Sequence, residues 1–218
     1  MKHFLDIESL SDSVVEQLVN TAYQMKTTQY RSQDLEHKTI GLIFEKPSLR
    51  TRVSFEVGIQ QLGGQSVVLL KDEIGLGKRE AIKDIARVLS RYLDIVMIRT
   101  FDHKNLQEYA DASSISLING LSDQAHPCQA VADMLTIYEK FDSFTDLKLV
   151  YLGDYNNVSR SLAQICSKLK INCVISSPVF SHESNNSIMY EKDPILAVKD
   201  ADIIYTDTWV SMGNEAEN

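Results

Sequence analysis

From Thr39 onward, apolar runs of strand length alternate with stretches of helical period, and that alternation restricts the fold more than any other feature of the chain. The runs Thr39–Phe44, Ser66–Leu70, Ile95–Ile98 and Ile115–Ile118 are too short for buried helices. Between them, Arg50–Leu62, Glu80–Ser90 and Asn105–Ala112 carry helical spacing, and Gly63-Gly64 stops the first of these. Strands separated by helices pair in parallel through right-handed crossovers. Upstream, Leu10–Met25 is expected to be an amphipathic helix with Val14, Val15, Leu18, Val19 and Ala22 on one face and Ser11 as N-cap. Downstream, Pro127–Tyr138 is expected to be helical, with its proline in the first turn.

A second α/β series follows, with strand Lys148–Leu152, helix Val158–Leu169, strand Asn172–Ile175, short helix Ile195–Val198 and strand Asp202–Tyr205. Phe141–Asp146 reads as a hinge. The expectation is therefore an α/β protein of two domains, 1–140 and 147–218, each a parallel sheet flanked by helices. The polar segment Ser176–Asp193 reads as a loop. That leaves the second sheet only about three strands, fewer than is usual, so the second domain reads as incomplete.

Charge and composition remove several function classes. A formal charge of −8 disfavours nucleic acid and anionic membranes as partners, although a pocket can be locally positive. No apolar run approaches the roughly 20 residues of a membrane span. Met1–Leu10 mixes Lys2, Asp6 and Glu8 with apolar residues, unlike a signal or transit peptide, so a cytoplasmic location is expected. Cys128, Cys166 and Cys173 form neither a CxxC pair nor a disulfide framework, which fits reduced thiols and no metal site.

Phe44-Glu45-Lys46-Pro47-Ser48-Leu49-Arg50-Thr51-Arg52 leaves a strand and opens a helix. Free backbone N–H groups at a helix start, with the macrodipole behind them, seat an anion. Ser48 and Thr51 add hydroxyl donors, and Arg50 and Arg52 add planar forks that suit phosphate. The same residues also fit a plain helix start with surface arginines. Nucleotide-binding loops fit worse. Gly75-Leu76-Gly77-Lys78 lacks the Walker spacing, and Gly153-Asp154-Tyr155-Asn156-Asn157 has one glycine where a dinucleotide fingerprint needs three.

Three more clusters stand where strands should end, the place where open α/β sheets collect ligands. They are Arg99-Thr100-Phe101, His126-Pro127-Cys128-Gln129 and Asp207-Thr208-Trp209-Val210-Ser211-Met212-Gly213. Each also has a structural reading: Arg99 in a surface ion pair, His126 as a helix cap, Cys128 as a core thiol, Asp207 as a turn cap.

Ser48-Leu49-Arg50-Thr51-Arg52 resembles the Ser-Thr-Arg-Thr-Arg signature of the aspartate and ornithine carbamoyltransferase family, and His126-Pro127-Cys128-Gln129 resembles its His-Pro-x-Gln signature. Asn119-Gly120-Leu121-Ser122-Asp123, Gly153-Asp154 with Asn156-Asn157, and the Asp207–Gly213 run look like the ornithine branch. The resemblance runs from about Phe4 to the last residue. It implies a carbamoyl phosphate domain followed by an amino-acid domain, a site between them, and a homotrimer or a multiple of one. By that likeness Ser48, Arg50 and Thr51 grip the phosphate together with the backbone of Leu49. Thr51, Arg99 and His126 face the carbonyl oxygen, and Gln129 faces the carbamoyl nitrogen. Asn157, Asp207, Ser211 and Met212 hold ornithine, and Lys71–Glu80 is the loop that meets a neighbouring subunit. The implied reaction is carbamoyl transfer to the side-chain amine of ornithine in arginine biosynthesis, with neither metal nor cofactor.

Two positions depart from the pattern. Leu49 replaces the usual Thr and resembles the branch that uses acylated ornithines, whereas the Asp-x-Trp-x-Ser-Met-Gly run favours ornithine. Glu73 stands where the ornithine branch often has Gln. The family's His-Cys-Leu-Pro loop and final helix are not found in the sequence, so exposed apolar surface is expected on the second domain. Two other readings stay open: a chain that binds carbamoyl phosphate with little turnover, and a transferase for putrescine, acylornithine or aspartate.

Overall fold

The computed structural model describes residues 2–75, 77, 79–177 and 188–207. Chain order is α1 (Asp12–Thr27), β1 (Thr39–Phe44), α2 (Leu49–Gln61), β2 (Gln65–Leu70), α3 (Lys71–Ile74), α4 (Ile82–Leu89), β3 (Ile95–Arg99), α5 (His103–Ala112), β4 (Ser116–Leu121) and α6 (Pro127–Phe141). It continues with β5 (Lys148–Leu152), α7 (Asn157–Lys168), β6 (Asn172–Ser176), β7 (Met189–Tyr190), α8 (Pro194–Ala197) and β8 (Ile203–Thr206). Two compact units result: Met1–Asp6 with Ala22–Cys128, and Ile7–Thr21 with Gln129–Asn218. The division falls within α1, between Thr21 and Ala22, and at the start of α6, between Cys128 and Gln129.

The first unit carries a parallel sheet in the order β2-β1-β3-β4. Alternation along its central strands decides which helices cover which face. Ile40, Leu42 and Phe44 of β1, with Met97 of β3, pack with Ile59 of α2. Ile43, Val96 and Ile98 point the other way, into Ile82, Ile85 and Ala86 of α4 and Leu106, Tyr109 and Ala110 of α5. Each fully buried Leu, Ile or Val stabilises by about 1.5–3 kcal/mol relative to exposure. Helix α2 ends where Gly63 adopts a φ of +82°, and Gly64 N–H donates to the Ile59 carbonyl at 2.9 Å. A side chain at Gly63 would meet both that left-handed backbone and the Gln33 side chain.

The second unit carries a parallel sheet in the order β7-β6-β5-β8. Val150 and Val174 bury one face against Ala197. Asn156 caps α7 by accepting from Val158 and Ser159 N–H at 2.9 and 3.0 Å, and Asp193 caps α8 through Ile195 N–H at 2.8 Å.

Two expectations need correction. The second sheet has four strands, not about three, because Met189–Tyr190 pairs with Val174 and Ile175 inside the segment read as loop. Two residues carry no periodicity, so only their pairing partner reveals them. The Lys71–Glu80 loop likewise opens with the one-turn helix α3, whose Glu73 carboxylate accepts from Leu70 N–H at 2.8 Å. Apolar exposure on the second unit is present at Met189, Ile195, Leu196 and Ile204. No helix among the described residues is long and apolar enough to cross a membrane.

Candidate active site

Strand order locates the first crevice. From β1 the chain crosses to β2 on one side, and β3 then pairs with β1 on the other, so the sheet reverses direction between β1 and β3. Ligands of open α/β sheets sit outside the carboxyl ends at such a switch point. There Phe44 lies opposite Arg99, Glu45 N–H donates to the Arg99 carbonyl at 2.9 Å, and the Thr100 hydroxyl donates to the Glu45 carboxylate. These bonds lock the two strand ends together at the mouth of the crevice.

The helix that leaves β1 begins without a side-chain cap. Ser48 occupies the N-cap position, but its hydroxyl donates to Thr51 Oγ1 at 2.9 Å instead of accepting from the backbone. The leading N–H groups of a helix have no intrahelical acceptor, so this helix start remains a donor surface. Arg99 Nη1 reaches the same Thr51 oxygen at 3.3 Å, and its buried Nε donates to no group among the described residues. Burial lowers the Arg99 pKa, as expected for a cation drawn partly out of water. Arg50 is exposed, and Arg52 is turned away into an ion pair with Glu56 at 3.5 Å, so Arg52 does not join the cluster.

A bulge shapes the neighbouring strand end. Register between β3 and β4 shifts at Ile98/Arg99, which sets Arg99 opposite Leu121. Gly120 sits in the shift, and a Cβ there would strike the Met97 sulfur and lie 3.3 Å from the Ile98 carbonyl. Buried Asn119 Nδ2 donates to the Leu5 carbonyl at 2.8 Å and, across the turn, to Ser122 Oγ and the Ala125 carbonyl at 3.4 Å each. His126, half-buried, follows this turn immediately before α6. Burial pushes the Cys128 thiol up to about 12, so it is not a thiolate nucleophile near neutrality.

The second unit repeats the plan. Its sheet reverses between β5 and β8, where Leu152 lies opposite Thr206. Asn156 Nδ2 donates to Asp207 Oδ2 at 3.1 Å across that switch point. Within the same unit, Gln129 Nε2 donates to Asp133 Oδ1 at 2.8 Å and the Tyr205 hydroxyl to Asp133 Oδ2 at 3.1 Å. Burial raises the Asp133 pKa, the Gln129 and Tyr205 hydrogen bonds oppose that, and the charge of Asp207 adds to it. No group of three or more metal-ligating side chains occurs among the described residues.

Residues 2–139 match the carbamoyl-P binding domain model of the aspartate/ornithine carbamoyltransferases, and residues 145–218 match the Asp/Orn binding domain model of the same family. The chain belongs to the aspartate/ornithine carbamoyltransferase family. It is 44% identical over 234 residues to the ornithine carbamoyltransferase of Caldicellulosiruptor saccharolyticus, covering all of this chain and 76% of that one. It is 45% identical over 230 residues to the ornithine carbamoyltransferase of Thermococcus kodakarensis, covering 98% of this chain and 73% of that one. The solved ornithine carbamoyltransferase from Pyrococcus furiosus superposes with a TM-score of 0.92 at 41% identity, covering 99% of this chain and 74% of that one.

Of the residues singled out in this carbamoyltransferase, Ser48, Thr51 and Arg99 are joined by hydrogen bonds, with the Leu49 backbone and Arg50 in the same turn. His126 and Gln129 flank the start of α6, and Asn157 and Asp207 lie at the second switch point. Ser211 and Met212 lie outside the described residues. Sequence reasoning placed Asn156 only within the ornithine-branch motif and missed Asp133 and Tyr205. Asp133 had one available signal, its place four residues after Gln129 on a helix, where side chains meet.

Proposed function

We propose that this carbamoyltransferase joins carbamoyl phosphate to the side-chain amine of L-ornithine, giving L-citrulline and phosphate, as a step in arginine biosynthesis. The neutral amine attacks the carbonyl carbon, negative charge gathers on the carbonyl oxygen, the bond to the phosphate oxygen breaks, and the new C–N linkage sheds a proton. Thr51, Arg99 and His126 stabilise the developing oxyanion, usually the largest catalytic contribution in such transfers. Ser48, Arg50, Thr51 and the Leu49 N–H at the uncapped helix start hold the phosphate before and after it leaves. Gln129 accepts from the carbamoyl nitrogen. Asn157 and the Asp207 carboxylate, with Ser211 and Met212, hold the amino-acid end of ornithine. Relatives named ornithine carbamoyltransferase support this choice of amine.

The observation that carries the proposal is the Ser48–Thr51–Arg99 cluster beside an uncapped helix start at a topological switch point. The same reading makes the protein a cytoplasmic homo-oligomer, a trimer or a multiple, with Lys71–Glu80 facing a neighbour. Exposed Leu49, Val53 and Val57, spaced along one side of α2, support an apolar interface there.

The test is citrulline formation by purified protein, with putrescine, acetylornithine and aspartate in parallel, alongside calorimetric titration of carbamoyl phosphate into wild type and Arg50→Ala. Citrulline production and a weakened Arg50→Ala complex are expected. Faster turnover of another amine replaces ornithine with that amine. Binding without turnover reduces the protein to a carbamoyl phosphate binder. Equal affinity in wild type and Arg50→Ala overturns the phosphate site itself.

A further inference from the structure

A glutamine facing a carbamoyl group has a polarity problem. The carbamoyl nitrogen carries two N–H donors and no basic lone pair, so it needs an acceptor. A glutamine amide offers an acceptor on one side and two donors on the other, and nothing in the residue itself selects which side faces the substrate. Something behind it must decide.

Asp133 stands in that place. It lies four residues after Gln129 on α6, on the same helix face. Its Oδ1 accepts from Gln129 Nε2 at 2.8 Å, and its Oδ2 accepts from the Tyr205 hydroxyl of β8 at 3.1 Å. A carboxylate can only accept, so the amide nitrogen must turn toward Asp133 and Oε1 must turn away. Tyr205 is itself fixed, stacked on buried Tyr151 with ring centroids 5.7 Å apart. An ordinary surface pair at this helical spacing would leave its carboxylate in water. Asp133 is instead half-buried and spends its second oxygen on a strand 72 residues away in sequence.

We propose that Asp133 is a positioning residue whose carboxylate, anchored by Tyr205, holds the Gln129 amide with Oε1 presented to the carbamoyl nitrogen. The inference rests on the reading that Gln129 meets that nitrogen. Asp133 touches no substrate and acts only through Gln129. It thereby selects for a carbamoyl group over a bare phosphate, because the phosphate contacts come from other residues.

Calorimetry with two probes, carbamoyl phosphate and inorganic phosphate, tests this on the intact protein. Asp133→Leu, which has the same branched shape but no acceptor, should weaken carbamoyl phosphate by about tenfold, the scale of one well-formed hydrogen bond, and leave phosphate within about twofold. Asp133→Ala serves as a second variant should the leucine chain fail to fold. Asp133→Asn should recover most of the affinity, because its Oδ1 still accepts from Gln129 while its Nδ2 donates to the Tyr205 oxygen. Gln129→Ala should show the same selective loss, and the Asp133→Leu/Gln129→Ala double variant should lose no more than either single one. Equal losses for both probes, additive losses, or unchanged carbamoyl phosphate affinity in Asp133→Leu would each overturn the role of Asp133 while leaving the reaction standing. Failure of wild type to bind carbamoyl phosphate would overturn the reaction and this role together.

Discussion

Arg99→Met separates a residue kept for chemistry from one kept for the fold. Among the described residues the Arg99 side chain makes one long hydrogen bond, 3.3 Å to Thr51, and its buried Nε has no acceptor. Burial already lowers its pKa, so the folded chain holds this cation at a disadvantage. Methionine keeps an unbranched, flexible stem for packing. Loss of one weak hydrogen bond costs about 0.5–1.5 kcal/mol, and relief of the half-buried charge offsets part of it. The net change in stability should stay within about 1 kcal/mol, a melting shift of roughly 2–4 °C for a chain of this size. The rate behaves differently. If the guanidinium meets the developing oxyanion, its removal should lower kcat/KM by about 10²–10³, or about 2.7–4 kcal/mol. Arg99→Lys should fall between, since it keeps the charge but not the planar fork. Initial rates of citrulline formation and thermal melts on the same preparations decide the matter. A loss of less than about tenfold, or a rate loss matched by a collapse of the melting temperature, refutes the argument.

Two further outcomes follow from groups around the second switch point. Asn156→Ala should destabilise the second unit by about 1 kcal/mol in urea titrations, because it removes the acceptor for Val158 and Ser159 N–H, and no change would refute the cap. Asp133, whose native pKa is raised by burial, binds its proton more tightly in the folded chain than in the unfolded one. That contribution is fully present below the unfolded value of about 3.9 and is lost as pH rises through the native value. Wild type should therefore lose ground to Asp133→Asn in denaturant midpoints as pH climbs from about 4 toward neutrality, and a gap independent of pH would refute it.

Local pattern carried the elements well where a segment is apolar on both faces. Thr39–Phe44 and Lys148–Leu152 are buried central strands, and their expected and observed bounds coincide. Helix ends moved by a few residues, as for α4, which starts at Ile82 rather than Glu80, since no capping side chain marks its start. Strand order was not legible, because pairing joins residues far apart in sequence and periodicity reports only neighbours. The expectation that Arg99 and Asp207 stand at strand ends was therefore met, but it could not identify the switch points where the strand order reverses. Tyr205 escaped for the same reason: within β8 it reads as one more alternating residue, and only the fold brings its hydroxyl to Asp133.

Both switch points stand at the carboxyl ends of parallel strands, and they differ in how the helix after each one is capped. After β1, Ser48 turns its hydroxyl to Thr51, and the α2 start keeps its N–H groups available, with Arg50 and Arg99 beside them. After β5, the Asn156 side chain accepts from the Val158 and Ser159 N–H groups of α7, which removes two of the leading donors. What remains there is acidic: Asp207, held by the Asn156 amide, and Asp154 in the preceding turn. One serine rotamer and one asparagine thus give similar sheets different polarity at corresponding places, open N–H donors with arginines after β1 and carboxylates after β5. An anion is favoured by the first arrangement, and the proposed phosphate seat depends on that chemistry.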